Sequence, residues 1–156
     1  ILCHGFATGA LFVIAGLVQE RTHTRELARL GGLWVVTPKL SGFTMFFALA
    51  ALGLPGLGNF TGEFLVLLGS FTVNPVIASI ASLGLIASVI YALWLVQRLA
   101  FGPNDNGWVL PDLSAREIAI LGVLAALLLW LGLYPQPLFD TAKSGIAAAQ
   151  RSEVRQ

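Results

Sequence analysis

Glu63 is the only formally charged residue between Leu40 and Gln97. An ionisable group inside so long an apolar run is costly to keep there and is by default a functional candidate. It closes the stretch "LGLPGLGNFTGEF", residues 52–64. The stretch predicts a helix restarting near residue 60 with Glu63 in its first turn, where free N–H groups and the helix dipole favour an anion while burial favours the neutral acid. Opposed influences of this kind suit a carboxyl that takes up and releases protons. The competing reading is a structural glutamate held by a buried cation or by backbone. His4 is the second candidate. Thr8 lies one turn later on the same helix face, placed to orient the imidazole or to hold a water. Its bland alternative is a histidine hydrogen-bonded across a helix interface, with no proton traffic. His23, in "ERTHTRE", reads as an ordinary loop residue.

The elements that must position these groups follow from the hydropathy. Residues 1–18 carry no formal charge and end at "QERTHTRELAR", which suits water or headgroups, so they form a first span. The apolar length from 40 to 97 must be divided to fit a bilayer core that takes about 20 helical residues. The Asn-Pro pair in "TVNP" is the natural cut, giving spans over 40–71 and 76–97. A polar loop rich in Pro and Gly follows, then a fourth span over 118–134. Residues 136–156 form a tail too polar to cross. As one straight helix, residues 40–71 would be about 48 Å long, against a hydrocarbon core of about 30 Å. Pro55 removes a backbone donor and clashes with the preceding turn, while Gly53, Gly56 and Gly58 permit unwound backbone next to Asn59. Two half-helices are therefore expected, over 41–52 and 60–71. Unwound backbone at membrane depth survives only where it is buried in protein or lines a watery cavity, and broken helices of this kind mark ion-transport sites.

Composition excludes several other classes. Hydrophobic residues make up 56% and charged ones 11% of the 156, with a mean hydropathy of +0.82, so the chain is an all-α, polytopic membrane protein surrounded by lipid bilayer. Nine Lys and Arg are dispersed among eight acids with no basic stripe, so no nucleic-acid partner is expected. Cys3 has no second thiol to pair with, and the sequence holds no metal-ligand cluster, phosphate loop or nucleophile elbow. No metal site and no redox cofactor is expected in this chain. The opening "ILCHGFATGALF" reads as mid-helix rather than as a signal peptide, so a preceding part is expected to be missing. "GFATG" and the stripe Ala81, Gly84, Ser88, Ala92 read as close-packing faces, and the four tryptophans as interfacial anchors. Glu20 and Arg21 are assigned to a solvated loop helix. Six basic residues, Arg21, Arg25, Arg29, Lys39, Arg98 and Arg116, fall in the two long loops, against Lys143, Arg151 and Arg155 in the tail. That bias puts the loops at 19–39 and 98–117 together on the cytoplasmic side.

Taken together, "HGFATGALFVIAGLVQERTHTRELARLGGLW", "GLPGLGNFTGEF" and "GLYPQPLFD" resemble the C-terminal part of the M-type, or chain 4, membrane subunits of bacterial NADH-quinone oxidoreductase, respiratory complex I. The resemblance implies an antiporter-like fold of two inverted repeats, of which this chain holds part of the second, in a multi-pass protein of the bacterial plasma membrane. It implies a proton-translocating subunit that couples electron transfer from NADH to quinone to proton pumping. Flavin, iron-sulfur clusters and quinone would reside in other subunits. The neighbours would be other membrane subunits of the complex, including antiporter-like ones. Glu63 would be the terminal proton relay, fed through His4 on the hydrophilic axis of the membrane arm. Related subunits and stand-alone cation/proton antiporters usually carry Lys at the position of Glu63, so "GNFTGEF" favours the M type. The alternatives are a cation/proton antiporter subunit, a hydrogenase-linked homologue, or a scaffold whose break serves packing alone.

Overall fold

The computed structural model describes residues 1–143; residues 144–156, which include Arg151 and Arg155 and most of the polar tail, lie outside the described residues. Every regular element among the described residues is helical. In chain order these are α1 (Leu2–Thr22), a 3-10 turn (Leu27–Arg29), α2 (Leu33–Val36), α3 (Pro38–Ala51), α4 (Gly58–Val73), α5 (Pro75–Ala100) and α6 (Ala115–Leu133). Residues 136–143 are helical as well, where the sequence reading had only a polar tail.

Helices α1, α5 and α6 are each long and apolar enough to cross a membrane. The 14 residues of α3 and the 16 of α4 are not. At 1.5 Å per residue they reach about 21 and 24 Å, each short of a hydrocarbon core of about 30 Å that the two laid end to end would exceed. The interruption expected within 40–71 is present, at residues 52–57. The helix starts follow local chemistry. Pro38 and Pro75 occupy first-turn positions, where their missing N–H is no loss. Asn74 caps α5 by accepting from the Ile77 N–H at 3.1 Å. Ser114 and Glu117 form a reciprocal capping box at the start of α6.

The core is built around one face of α1. Cys3, Ala7, Ala10, Ile14 and Val18 recur at spacings of three and four, all buried, against α3 and α6. Phe47, Leu40, Leu121 and Leu128 fill the centre. Ala7, Ala10 and Ala50 are fully buried, and their small side chains let the helices approach closely. The Gly5/Gly9 pair of "GFATG" faces away from this core and meets nothing within the chain. Of the stripe on α5 only Ala92 is buried. The small residues of α1 that pack within this chain are Ala7 and Ala10, one or two positions from those glycines. The outer surface of α4 and α5 is strongly apolar, with Phe64, Val66, Ile77, Ile80 and Ile90 all exposed, as suits a bilayer or neighbouring helices.

The two long loops lie together at one end of the bundle. Asn106 donates to the Arg29 carbonyl at 2.6 Å, and Gly32 N–H to the Phe101 carbonyl at 3.2 Å. The Asp112 carboxylate accepts from the N–H groups of Lys39 and Leu40 at 3.0 and 3.1 Å, capping α3 from some seventy positions along the chain. Trp34 stacks on Phe101, and the Arg98 guanidinium sits over the Trp94 ring. Arg21 corrects the sequence reading. Far from being solvated, it donates to both carboxylate oxygens of Glu117 at 2.8 and 2.9 Å, to the Pro111 carbonyl at 2.9 Å and to the Leu17 carbonyl at 3.1 Å. Its position at the end of α1 opposite the start of α6 allows this, because a guanidinium fork matches a carboxylate and carbonyls at once.

This clamp sets the first prediction. Arg21→Gln leaves Glu117 half-buried without its cation and should lower stability in detergent by about 1–3 kcal/mol. Adding Glu117→Gln should recover part of the loss, because no lone charge then remains. Thermal unfolding of the four variants measures this; a double variant no more stable than Arg21→Gln would contradict the clamp.

Candidate functional site

The break between α3 and α4 is built residue by residue. The last turn of α3 closes with the Leu54 N–H on the Leu49 carbonyl at 3.2 Å and the Gly53 N–H on the Ala50 carbonyl at 3.3 Å. This paired closure needs a left-handed residue between the helix end and the outgoing chain, and Gly53 supplies it with φ of 67°. Pro55 then cannot continue the helix, and Gly56 turns the chain with φ of 94°. The Leu57 N–H returns to the Leu54 carbonyl at 3.0 Å, and extended backbone at Leu57 starts α4. Asn59, buried, donates from its amide to the Ala50 carbonyl at 2.8 Å, tying the start of α4 to the end of α3. All five residues expected at the break are therefore in or beside it.

Two neighbouring helices seat on this turn. A Cβ on Gly58 would overlap the Cys3 side chain of α1, and a Cβ on Gly132 of α6 would overlap the backbone of Gly56 and Leu57. Gly132 had not been singled out from the sequence. The available signal was a lone glycine inside the leucine-rich run "LLLWLGLYP", a placement that usually has a packing reason.

Glu63 is the sixth residue of α4 and lies in its second turn, where the first turn had been expected. The difference arises because α4 starts two residues earlier than expected, at Gly58. Helical side chains lean toward the N-terminus of their own helix, so the carboxyl still returns to the break. There it rests on Gly53: Oε2 occupies the space that a Cβ at that position would need. Glu63 is half-buried, and among the described residues no side chain hydrogen-bonds or ion-pairs with it. The buried cation of the competing structural reading is not among the described residues.

His4 lies in the first turn of α1, with Nε2 3.3 Å from the Thr8 hydroxyl, the pairing that their spacing predicts. His4 and Glu63 line the same cleft of about 450 Å³, formed where α1 and α4 begin and α6 ends, with Asn59, Leu131 and Phe139 in its walls. A cleft of that volume has room for several waters at about 30 Å³ each. An acid and a base bordering one such space can exchange a proton through water. Among the described residues no group of three or more His, Cys, Asp or Glu could hold a metal.

Comparison with known proteins agrees with this architecture. Residues 1–91 match the family model described as NADH:quinone oxidoreductase/Mrp antiporter, TM. NADH-quinone oxidoreductase subunit M of Pseudomonas aeruginosa is 44% identical over 97% of this chain, and that of Escherichia coli K12 is 42% identical over the same share. NADH-ubiquinone oxidoreductase chain 4 of Chondrus crispus is 42% identical over 86% of the chain. The chain spans 28–30% of the length of these relatives. Among solved structures, respiratory complex I from Thermus thermophilus with bound NADH contains a chain that matches with a TM-score of 0.75 and 41% identity, covering 83% of this chain and 27% of that one. With a broken helix carrying its acid at the interruption and a family match over more than half its residues, this multi-pass membrane chain belongs to the NADH:quinone oxidoreductase/Mrp antiporter transmembrane family.

Proposed function

We propose that this chain forms part of a proton-translocating membrane subunit of an NADH:quinone oxidoreductase, with Glu63 as its proton relay and His4 as the donor that feeds it. The observation that carries this reading is the placement of the Glu63 carboxyl at a helix break, in a cleft shared with His4. Keeping an ionisable acid half-buried beside unwound backbone, with no hydrogen-bonding or ion-pairing side chain among the described residues, is costly, and such a group is by default a functional one. A proton on the His4 imidazole passes through water in the cleft to the Glu63 carboxylate, leaving a neutral imidazole and a neutral acid. The acid then releases the proton onward and returns to its anion. Thr8 restrains the imidazole, and Asn59 holds the break so that the acid and base keep their relative positions.

Electron transfer from NADH to quinone, with flavin and iron-sulfur clusters, belongs on this proposal to other subunits. Those subunits, including neighbouring antiporter-like ones, and lipid would cover the exposed apolar faces of α4 and α5. The names of the relatives support this assignment over a stand-alone antiporter. The loops joined by Asn106 and Arg29 carry the basic excess, which supports a cytoplasmic position in a bacterial plasma membrane.

Two predictions follow from the site and its orientation. In the assembled complex, Glu63→Gln keeps the shape of the side chain but should lower proteoliposome acidification by at least about tenfold, as loss of a positioned proton-transferring group does. Glu63→Asp, shorter by one methylene, and Glu63→Lys, still protonatable, should fall between wild type and Gln. Assembly is checked on native gels. Wild-type pumping by an assembled Glu63→Gln complex would make the residue structural, and sodium exchange independent of NADH would favour the antiporter reading. For orientation, cysteines at the exposed positions His23 and Asn106 should react with a membrane-impermeant maleimide only from the cytoplasmic side, and one at Lys143 only from the other. Labelling of positions 23 and 106 from opposite sides would overturn the arrangement.

A further inference from the structure

Gly53 combines two properties that are usually confounded. Its φ of 67° closes the end of α3, which alone would favour glycine. Its missing side chain also leaves the space in which Glu63 Oε2 lies. Gly56, three residues on, separates the two properties. It too has a left-handed φ, of 94°, yet a Cβ there would meet nothing within 4 Å. Backbone conformation explains glycine at both positions, but only at 53 would a side chain contend with the acid. The obstacle at 53 is the far end of a flexible side chain rather than backbone, so a methyl group would displace the carboxyl without dismantling the turn. Glu63 itself also lines the cleft shared with His4.

We propose that Gly53 is a positioning residue for the proton relay: its bare Cα is a seat that holds the Glu63 carboxyl against the end of α3, at the border of the cleft. Exchange with His4 then takes place with the acid on this seat, and a side chain at residue 53 would displace it. This inference rests on the proton-relay reading of Glu63 and adds a group that controls it.

The test uses the complete, assembled complex and a readout independent of pumping. A hydrophobic carbodiimide modifies accessible carboxyls, and the labelled Glu63 peptide is quantified by mass spectrometry. Gly53→Ala should raise the labelling rate about threefold, the scale expected when a side chain is pushed from its preferred rotamer, and should lower pumping. Gly56→Ala, which meets the same backbone requirement, should leave labelling at the wild-type rate. Combining Gly53→Ala with Glu63→Asp should restore pumping toward that of Glu63→Asp alone, because the shorter acid clears the methyl. Asparagine tolerates left-handed backbone, so Gly53→Asn gives the same comparison if the alanine variant does not assemble. Unchanged labelling in an assembled Gly53 variant, or equal effects at 53 and 56, would overturn the seat while leaving the relay reading intact. Faster labelling together with normal pumping by Glu63→Gln would keep the seat and remove the relay.

Discussion

Backbone polar groups at membrane depth have no water to bond, and the interruption at residues 52–57 has to meet that constraint. It does so locally. Two N–H groups fold back onto the last carbonyls of α3, the chain meets Pro55, which has no N–H to satisfy, and the Leu57 N–H closes onto Leu54. The Asn59 amide supplies a donor to the Ala50 carbonyl from the other half-helix. A side chain thereby crosses the break, so the two halves share a fixed relation although no helix joins them.

Close approach follows from this compact closure. With glycine at both contact points, α1 can press Cys3 against Gly58 and α6 can press Gly132 against Gly56 and Leu57. The same contacts leave a space beside the break instead of over it. Glu63 borders that space because helical side chains lean backwards, and His4 does so because α1 meets α4 at its first turn. The site is thus a product of where three helices begin or end.

Much of this was legible in the sequence, where the relevant physics is local. The charge-free runs are read along contiguous chain, and the Asn-Pro cut, the Pro and Gly of the break and the four-residue spacing of His4 and Thr8 each act over about a turn. What escaped is long-range. Arg21 reads as a loop cation until Glu117, far along the chain, is seen to meet it. Asp112 reads as a loop acid until α3 presents its free N–H groups. Gly132 is an unremarkable glycine until the break arrives beside it. The turn occupied by Glu63 was misread for a different reason: Gly58 and Asn59 look like turn residues, but the amide bond to Ala50 and the packing on Cys3 draw both into the helix.

The two ends of the bundle are held by different forces, and the difference bears on how the site works. At the loop end, charged and directional bonds dominate: the Arg21 clamp, the Asp112 cap and the Asn106 bridge each fix an orientation. At the cleft end, apart from the Asn59 and His4–Thr8 hydrogen bonds, contacts among the described residues are mostly apolar or close approaches of small residues. Directional bonds resist rotation, whereas apolar contacts tolerate small shifts of one surface over another. On the proposed relay, a bundle anchored at one end and smooth at the other would let Glu63 change its charge without disturbing the packing that holds α1, α3 and α6 together.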